Sequence, residues 1–383
     1  MSLRNLWQRR AATVVSLTGI CGVVLVVVAV LAMAEGFRST LELAGGDDVA
    51  IVIRGGSTGE MSSVLSQEDI NLIGNAPGIA SDAGGQLTSA EFFATVDVAK
   101  RSTNTWANVP IRGIESQGAK IRPHFKLISG RMFTPGHSEI VVGIGASRAF
   151  AGLELGATLV SGANRWQVVG IFSDAGSVAE SEIWTDVRVL QGAYSRGSSF
   201  QTARVKLVSP GAFTAFRDAL TSDPRLNVTV KTEREYFSDQ SRTLTTLIRG
   251  AGVMIAILMG AGAVFGALNT MYSAVAARAR EIATLRALGF GAAPIIVSVL
   301  TEAILIGLVG GLIGGGLAYF AFNGYQASTL NMDSFSQVTF AFAVTPSLLV
   351  AGIGYALLLG LAGGLMPAVR AVRQSIVDGL RAL

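Results

Sequence analysis

Residues 294–322 read PIIVSVLTEAILIGLVGGLIGGGLAYFAF, an apolar run in which Glu302 is the single charged residue. A helix needs roughly 20 apolar residues to cross a hydrocarbon core of about 30 Å, so this run predicts a membrane-spanning helix. Three further runs are long enough, at residues 11–34, 247–277 and 344–365. The composition agrees, because 15% of the residues are charged, against about 25% in soluble domains. The sequence therefore predicts four transmembrane helices.

The distribution of arginine predicts the orientation of these helices. Arginines flank the first, second, third and fourth helices at Arg4, Arg9, Arg10, Arg278, Arg280, Arg286, Arg370, Arg373 and Arg381. The connection 323–343 contains no lysine or arginine. Because basic residues stay on the cytoplasmic side, both termini and the loop 278–294 are predicted to be cytoplasmic. The more polar block, residues 35–246, is then predicted to lie outside the cytoplasm.

The polar block contains both strand and helix patterns. Apolar runs rich in β-branched residues predict strands at 48–54, 92–98, 109–114, 139–143, 166–172 and 203–208. Residues 65–75 and 210–220 read as helices, and Ser66 with Asp69 three residues later is typical of a helix start. A block of this size can bury a core of its own.

The predicted fold class is a membrane α-helical protein with four transmembrane helices and an external α+β domain inserted between helices 1 and 2. The expected domains are residues 1–36 with helix 1, 37–243 with the external domain, and 244–383 with helices 2 to 4. An alternative for the start is a signal peptide, since Ala32-Met33-Ala34 resembles a cleavage site. The apolar run is longer than the usual 7–15 residues or so, and we therefore expect the helix to be retained.

Residue types that carry chemistry are sparse in this chain. Cys21 is the single cysteine, which rules out an intrachain disulfide. With two histidines the chain has too few ligands for a structural zinc site built from Cys and His, which takes four. Residues 55–59 match the nucleophile-elbow pattern around Ser57, but no acid and histidine stand out as its partners. No G-x-x-x-x-G-K-[ST] sequence occurs, so this chain is not expected to bind ATP through a P-loop. We expect no catalytic residue, metal or cofactor in this chain.

Small residues and one carboxylate stand out within the predicted membrane helices. Glycines spaced four apart are Gly307, Gly311 and Gly315 in helix 3 and Gly360 and Gly364 in helix 4. This spacing lets helix backbones approach closely, either within one subunit or between two copies. Glu302 lies ~12 Å along helix 3 from Pro294. An intramembrane carboxylate is a functional candidate, and a structural partner for it is the alternative.

A short amphipathic segment joins helices 2 and 3. Residues 277–290 read ARAREIATLRALGF, in which apolar side chains recur every three residues at Ile282, Leu285 and Leu288. The polar positions are Arg278, Arg280, Glu281 and Arg286. Gly289 is placed where a helix would end. Two interpretations are open from these residues alone: a helix lying on the lipid surface, or a docking helix for a cytoplasmic partner.

The segment resembles a known family. Residues 280–289 look like the R-E-I-x-x-L-[RK]-A-L-G signature of MacB/FtsX-type ABC transporter permeases. Residues 302–314 are similar to the family's E-x-x-x-x-G-x-x-G-G-x-x-G pattern, and 366–381 to its C-terminal tail, with Gly379 where alanine is usual. Residues 3–10 resemble its N-terminal amphipathic helix. The external block resembles the family's periplasmic core domain at 130–133, 139–143 and 168–172.

The resemblance implies the permease subunit of an ABC transporter in the bacterial inner membrane. It implies a dimer of permeases served by an ABC ATP-binding subunit, which carries the ATP and Mg²⁺. Because the chain begins a few residues before helix 1, we expect that ATPase on a separate polypeptide. Its closure is expected to move the helices and the periplasmic domains together, which is called mechanotransmission.

The expected role is export, efflux or extraction of a lipid, lipoprotein, peptide or hydrophobic compound. A periplasmic adaptor and an outer-membrane channel are further partners that the resemblance suggests, and no nucleic acid is expected. The residues expected to couple to the ATPase are Arg278, Arg280, Glu281, Ile282, Leu285, Arg286, Leu288 and Gly289. The alternative is a membrane-anchored receptor or scaffold whose external domain binds a ligand without ATPase coupling; a passive scaffold would not need a docking helix.

Overall fold

The computed structural model describes residues 10–43, 45–161, 164–331 and 336–375. The helices in these ranges are α1 (Arg10–Leu43), α2 (Gln67–Gly74), α3 (Gly118–Ile121), α4 (Ile144–Ala149), α5 (Val187–Ala193), α6 (Phe213–Thr221), α7 (Glu233–Ala276), α8 (Ala279–Ala287), α9 (Ala292–Phe322) and α10 (Pro346–Arg373). The predicted N-terminal amphipathic segment, with Arg4 and Arg9, and the tail with Gly379 and Arg381 lie outside the described residues.

The strands follow the same numbering along the chain. They are β1 (Val49–Arg54), β2 (Ser81–Asp82), β3 (Gly85–Gln86), β4 (Thr88–Ala99), β5 (Trp106–Ile114), β6 (Lys126–Gly130), β7 (Glu139–Gly143), β8 (Thr158–Ser161), β9 (Asn164–Ser173), β10 (Ile183–Asp186), β11 (Thr202–Lys206), β12 (Val228–Thr232), β13 (Gln326–Asn331) and β14 (Ser336–Ala341). Chain contacts divide the protein into two compact units. We call them the helical unit (10–35, 246–325 and 342–375) and the sheet domain (36–245 and 326–341).

Within the described residues, four helices are long and apolar enough to span a membrane, as the sequence predicts: α1, α7, α9 and α10. Helix α1 continues to Leu43 and α7 begins at Glu233, so both helices are longer than their apolar runs. The domain boundaries predicted at 36 and 243 therefore fall inside helices. Ala32 and Ala34, which resembled a cleavage site, are buried within α1.

The helical unit is held by close contact of apolar side chains and small residues. Its core includes Val24, Val28, Val299 and Ala356, which are all buried. Helix α10 begins at Pro346, and the Thr345 side chain accepts a hydrogen bond from the Leu348 amide, which caps the helix. Proline is tolerated there because the first helical amide has no intrahelical acceptor.

The sheet domain is built on one large mixed sheet. Its strand order is β12-β1-β11-β4-β5-β10-β7-β9-β6, and β8 also pairs with β9. Most neighbours are antiparallel, whereas β5 with β10 and β7 with β9 are parallel. One face packs on buried Phe150, Trp166 and Phe200. Ser66 and Asp69 form a capping box at the start of α2, in agreement with the sequence pattern.

A β-hairpin between the third and fourth membrane helices belongs to the sheet domain. Strands β13 and β14 pair from Gln326 with Ala341 onward, and Val338 and Phe340 are buried. The Thr339 amide donates to Ser181 Oγ at 2.8 Å, and the Ser181 hydroxyl donates back to the Thr339 carbonyl. The Phe340 ring meets Phe37 edge-on at 5.6 Å. The sequence assigned this connection to the C-terminal domain, and its contacts place it in the sheet domain instead.

Candidate functional site

The coupling segment, residues 278–290, forms a short helix that ends as the sequence predicts. Helix α8 ends at Ala287, and Gly289 has a φ of +91°, which strongly favours glycine. The Phe290 amide donates to the Leu285 carbonyl and the Gly289 amide to the Arg286 carbonyl, both at 3.1 Å. These two hydrogen bonds define a Schellman motif, which fixes the direction of the chain into α9.

One side of α8 faces the helical unit and the other faces outward. Ala279 and Ala283 are buried, and Ile282 packs against the core of the helical unit. Leu285, Leu288 and Phe290 are 42%, 74% and 55% exposed, although all three are large apolar side chains. The predicted apolar stripe is therefore divided: Ile282 faces inward, while Leu285 and Leu288 form an outward patch with Phe290.

The charged residues of the segment have different surroundings. Arg280 and Glu281 are exposed beside the apolar patch. Arg278 instead turns toward α9, where its guanidinium binds both carboxylate oxygens of Glu302 at 2.9 and 3.2 Å. Arg286 donates to the carbonyl oxygen of Gln374, just beyond α10, at 2.6 Å. Two of the four predicted polar positions thus attach α8 to neighbouring helices.

Glu302 is buried and paired. Because its carboxylate holds Arg278, the structure favours the structural alternative for this residue. Removing one partner of a buried pair leaves an uncompensated charge, which is costly. The pair borders a cleft of about 270 Å³, which is lined mainly by apolar side chains such as Ile282, Leu285 and Phe290 and also by Glu281 and Ser298. The ion pair that anchors the start of α8 to α9 therefore lines the same cleft as the apolar side chains of the coupling segment.

The five predicted glycines lie where α9 crosses α10 in the same chain. A Cβ built on Gly307 would lie 2.7 Å from the Ala356 carbonyl oxygen, and one on Gly360 would lie 2.7 Å from the Ala303 carbonyl oxygen. Gly311 and Gly364 face alanine methyl groups at 2.8 and 2.5 Å. Gly315 faces Leu349 at an ordinary 3.4 Å. The described structure thus shows these glycines in contacts within one chain.

Gly360→Ala is expected to destabilise the helical unit by about 1–3 kcal/mol, because the new methyl group would overlap a backbone oxygen. Gly354→Ala is the matched control, since it lies on the same helix with no atom within 4 Å of the new Cβ. The control should be neutral or stabilising by up to about 1 kcal/mol. Thermal unfolding in detergent measures both. Equal midpoints for the two variants would contradict the close crossing.

A buried charge cluster in the sheet domain was missed by the sequence analysis. Its members are Glu60, Glu91, Arg112, Arg122, Glu182, Arg204 and Glu233. Arg112 occupies its centre and donates all five of its N–H groups: to Glu60 at 2.7 and 2.9 Å, to Glu182 at 2.8 and 2.9 Å, and to Glu91 at 3.0 Å. Arg204 joins Glu91 to Glu233, the first residue of α7.

The electrostatics of Glu91 show how strongly the cluster is coupled. Burial alone would raise the pKa of its carboxyl, but Arg122, Arg204 and Arg112 outweigh burial and hold the pKa at about 2. A carboxyl with a lowered folded-state pKa stabilises the fold above its ordinary value of 4.5. The contribution of Glu91 to the free energy of unfolding is therefore lost as the pH falls from 4.5 toward about 2.

The nucleophile-elbow pattern around Ser57 occupies a turn after β1. The Ser57 hydroxyl donates to the Ser62 carbonyl at 3.2 Å. Asp82, an acid that could be nominated as a partner of Ser57, has its carboxylate bound by Lys120 at 2.7 Å. Within the described residues no group of three or more His, Cys, Asp or Glu side chains could hold a metal ion. The side chains of Ser57 and Asp82 thus each form a hydrogen bond with a residue other than the partner that a nucleophile elbow would need.

Two family models match the chain. Residues 253–376 match the FtsX-like permease C-terminal model, and residues 13–223 match the MacB-like periplasmic core domain model. The second match alone covers more than half of the sequence. The chain belongs to the MacB/FtsX-type family of ABC transporter permeases, which confirms the resemblance found in its motifs.

Relatives extend along nearly the whole chain. It is 25% identical over 410 residues to the pyoverdine export ATP-binding/permease protein PvdT of Pseudomonas entomophila, covering 98% of this chain and 58% of that protein. It is 25% identical over 409 residues to the macrolide export ATP-binding/permease protein MacB of Pasteurella multocida, covering 99% and 59%. The chain thus spans less than two thirds of either relative.

Solved structures of other proteins also align with part of this chain. The crystal structure of the periplasmic region of MacB from Actinobacillus actinomycetemcomitans aligns with a TM-score of 0.38 and 17% identity. The alignment covers 54% of this chain and 94% of that one.

Proposed function

We propose that this chain is the permease subunit of an ABC transporter, which couples ATP hydrolysis by an ABC ATP-binding subunit to movement of the sheet domain. The observation that carries the proposal is the outward patch of Leu285, Leu288 and Phe290, rimmed by Arg280 and Glu281. An apolar patch with a charged rim is the arrangement that protein interfaces use for anchoring and register.

The attachments of α8 support a coupling role. A docking helix transmits force only when it is fixed to the helices that it moves. Here α8 is fixed to α9 by Arg278 with Glu302 and to the end of α10 by Arg286. A push on the exposed patch would therefore act on two membrane helices at once.

The remaining parts of the proposal rest on the family and on the arginine distribution. The chain lies in the inner membrane with both termini and α8 cytoplasmic and the sheet domain periplasmic. Two copies assemble with ATP-binding subunits, which hold the ATP and Mg²⁺, while this chain holds no catalytic group. The relatives named for export of pyoverdine and of macrolides favour export as the role of the complex. Its proposed cargo is a lipid, lipoprotein, peptide or hydrophobic compound, and a periplasmic adaptor and an outer-membrane channel are proposed as further partners.

The test is purification of the tagged full chain from its native membrane in mild detergent. The expected result is co-purification of an ATP-binding subunit in stoichiometric amount, with ATP hydrolysis that depends on the complex. A chain that purifies alone, without ATPase activity from cells that contain its partners, would favour the receptor or scaffold alternative.

A further inference from the structure

A second cleft in the helical unit lies between the ends of α7 and α10. It has a volume of about 540 Å³, and its lining includes Tyr272 and Ser273 from α7 and Arg370, Arg373 and Gln374 from the end of α10. The guanidinium of Arg370 lies over the Tyr272 ring, 5.3 Å from its centre. This cleft is separate from the apolar patch on α8, and we call it the arginine cleft.

The arginine cleft carries an excess of positive charge. Arg370 and Arg373 are three residues apart and lie on one side of α10, and neither forms an ion pair with a carboxylate among the described residues. Helices α7 and α10 both end here, and each C-terminus carries roughly half a negative charge. Among the described residues, two guanidinium groups against two helix ends leave about one uncompensated positive charge. A phosphodiester, which has a single negative charge, would neutralise it.

The surroundings of the cleft change from polar to apolar along α10. Met366, one turn before Arg370 and ~6 Å lower along the axis, is 63% exposed, and Leu365 beside it is 49% exposed. Arginines at the end of a membrane helix extend toward the headgroup region, while apolar side chains one turn below contact acyl chains. Tyr272 has the amphipathic ring that is enriched at this depth. A molecule that contacts both the arginines and the apolar side chains one turn below them has an anionic head and an apolar tail.

We propose that the arginine cleft binds the headgroup phosphate of an anionic phospholipid, with its acyl chains along Leu365 and Met366. Basic pockets between membrane helices are known to hold such headgroups, and guanidinium groups match phosphate oxygens in pairs. Gln374, which lines the cleft, is also the residue whose carbonyl receives Arg286 from α8. The bound lipid would therefore stabilise the end of α10 where α8 is attached. This inference holds whether or not α8 docks an ATPase.

The test compares lipids on the full chain in detergent. Phosphatidylglycerol is expected to raise the thermal midpoint more than phosphatidylcholine does, and to remain bound in native mass spectrometry. The Arg370→Gln/Arg373→Gln double variant should bind phosphatidylglycerol about 30-fold more weakly, because each arginine near the membrane surface contributes about 1 kcal/mol to the binding free energy. Arg249→Gln is the matched control, since Arg249 lies toward the other end of α7 and pairs with Glu35 at 3.4 Å. The control should keep the parental affinity.

Three results would overturn the proposal. One is an equal response of the parental chain to both lipids, and another is full retention of phosphatidylglycerol by the double variant. The third is an equal midpoint shift with inorganic phosphate alone, which would make the cleft a site for free anions. Thermal unfolding in phosphatidylcholine checks that the double variant is folded. Where the second result is accompanied by loss of an ATP-binding partner, the cleft is a protein interface.

Discussion

Replacing Arg112 with methionine is expected to lower the free energy of unfolding of the sheet domain by about 3–5 kcal/mol. The reason is that three buried carboxylates, on Glu60, Glu91 and Glu182, would lose the guanidinium that donates hydrogen bonds to them. Breaking a buried ion pair costs far more than the pair itself contributes, because the remaining charges stay out of water. A whole domain is usually stable by about 5–15 kcal/mol, so this single change removes a large part of the total.

Arg112→Lys separates the effect of charge from that of geometry. Lysine keeps the positive charge but has three donors, and Arg112 uses five in a planar arrangement. We therefore expect Arg112→Lys to be clearly destabilising, though less so than Arg112→Met. If lysine were fully tolerated, the fixed donor geometry of the cluster would not matter.

The measurement is denaturant unfolding of the full chain in detergent, followed by tryptophan fluorescence. Trp184 is a suitable reporter because its indole N–H donates to Glu182 at 2.7 Å and its ring stacks with Arg122. Arg234→Met is the matched control: Arg234 also pairs with a carboxylate, that of Asp47, but the two side chains are 54% and 56% exposed. An exposed pair is worth at most about 1 kcal/mol. Similar losses for the two methionine variants would contradict the central position of Arg112.

Leu285→Glu is expected to abolish productive contact with the ATP-binding subunit. Truncating a buried leucine costs about 2–5 kcal/mol in a core, and a partly buried anchor lies toward the low end. About 2 kcal/mol corresponds to roughly 30-fold weaker binding, and a carboxylate in an apolar cleft adds a desolvation cost. Leu285→Ala should therefore weaken binding, while Leu285→Glu should remove both co-purification and ATPase activity of the complex.

Two comparisons make this prediction specific. Leu155→Glu is matched in chemistry and in exposure, because Leu155 is 46% exposed on the sheet domain and Leu285 is 42% exposed on α8. That variant should keep ATPase binding. Glu281→Lys changes the rim of the patch and should weaken binding less than Leu285→Glu, since rim charges mainly set register. If Leu285→Glu still binds the ATPase at parental strength, α8 is a helix lying on lipid and the proposed coupling site is wrong.

The sequence predicted the elements whose signals are local. Runs of apolar residues predict membrane helices, and clusters of β-branched residues predict strands such as β7, which spans the predicted residues 139–143. Ser66 and Asp69 predicted the start of α2, and Gly289 the end of α8, because caps depend on a few neighbouring residues. These features need no knowledge of what packs against them.

What the sequence could not supply depends on distant contacts. The charge cluster joins residues from Glu60 to Glu233, and each of these charges alone is compatible with a solvated surface. A signal was present, since Glu91 and Arg112 stand inside apolar strands. Ile282 shows a second limit: a helical period identifies an apolar stripe but does not say which part of it meets the protein's own core.

The β13–β14 hairpin has a consequence for how the protein is made. The sheet domain is not complete when residue 245 leaves the ribosome, because two of its contacts are made by a later part of the chain. Phe340 packs edge-on against Phe37, and the Thr339 amide donates to Ser181 Oγ. At about 5–20 residues per second, those residues are synthesised roughly 5 to 20 seconds later, after the third membrane helix. During that interval Phe37 and Ser181 lack their contacts with the hairpin. Final closure of this domain should therefore report that the third membrane helix has been inserted with the hairpin on the same side of the membrane as the rest of the domain.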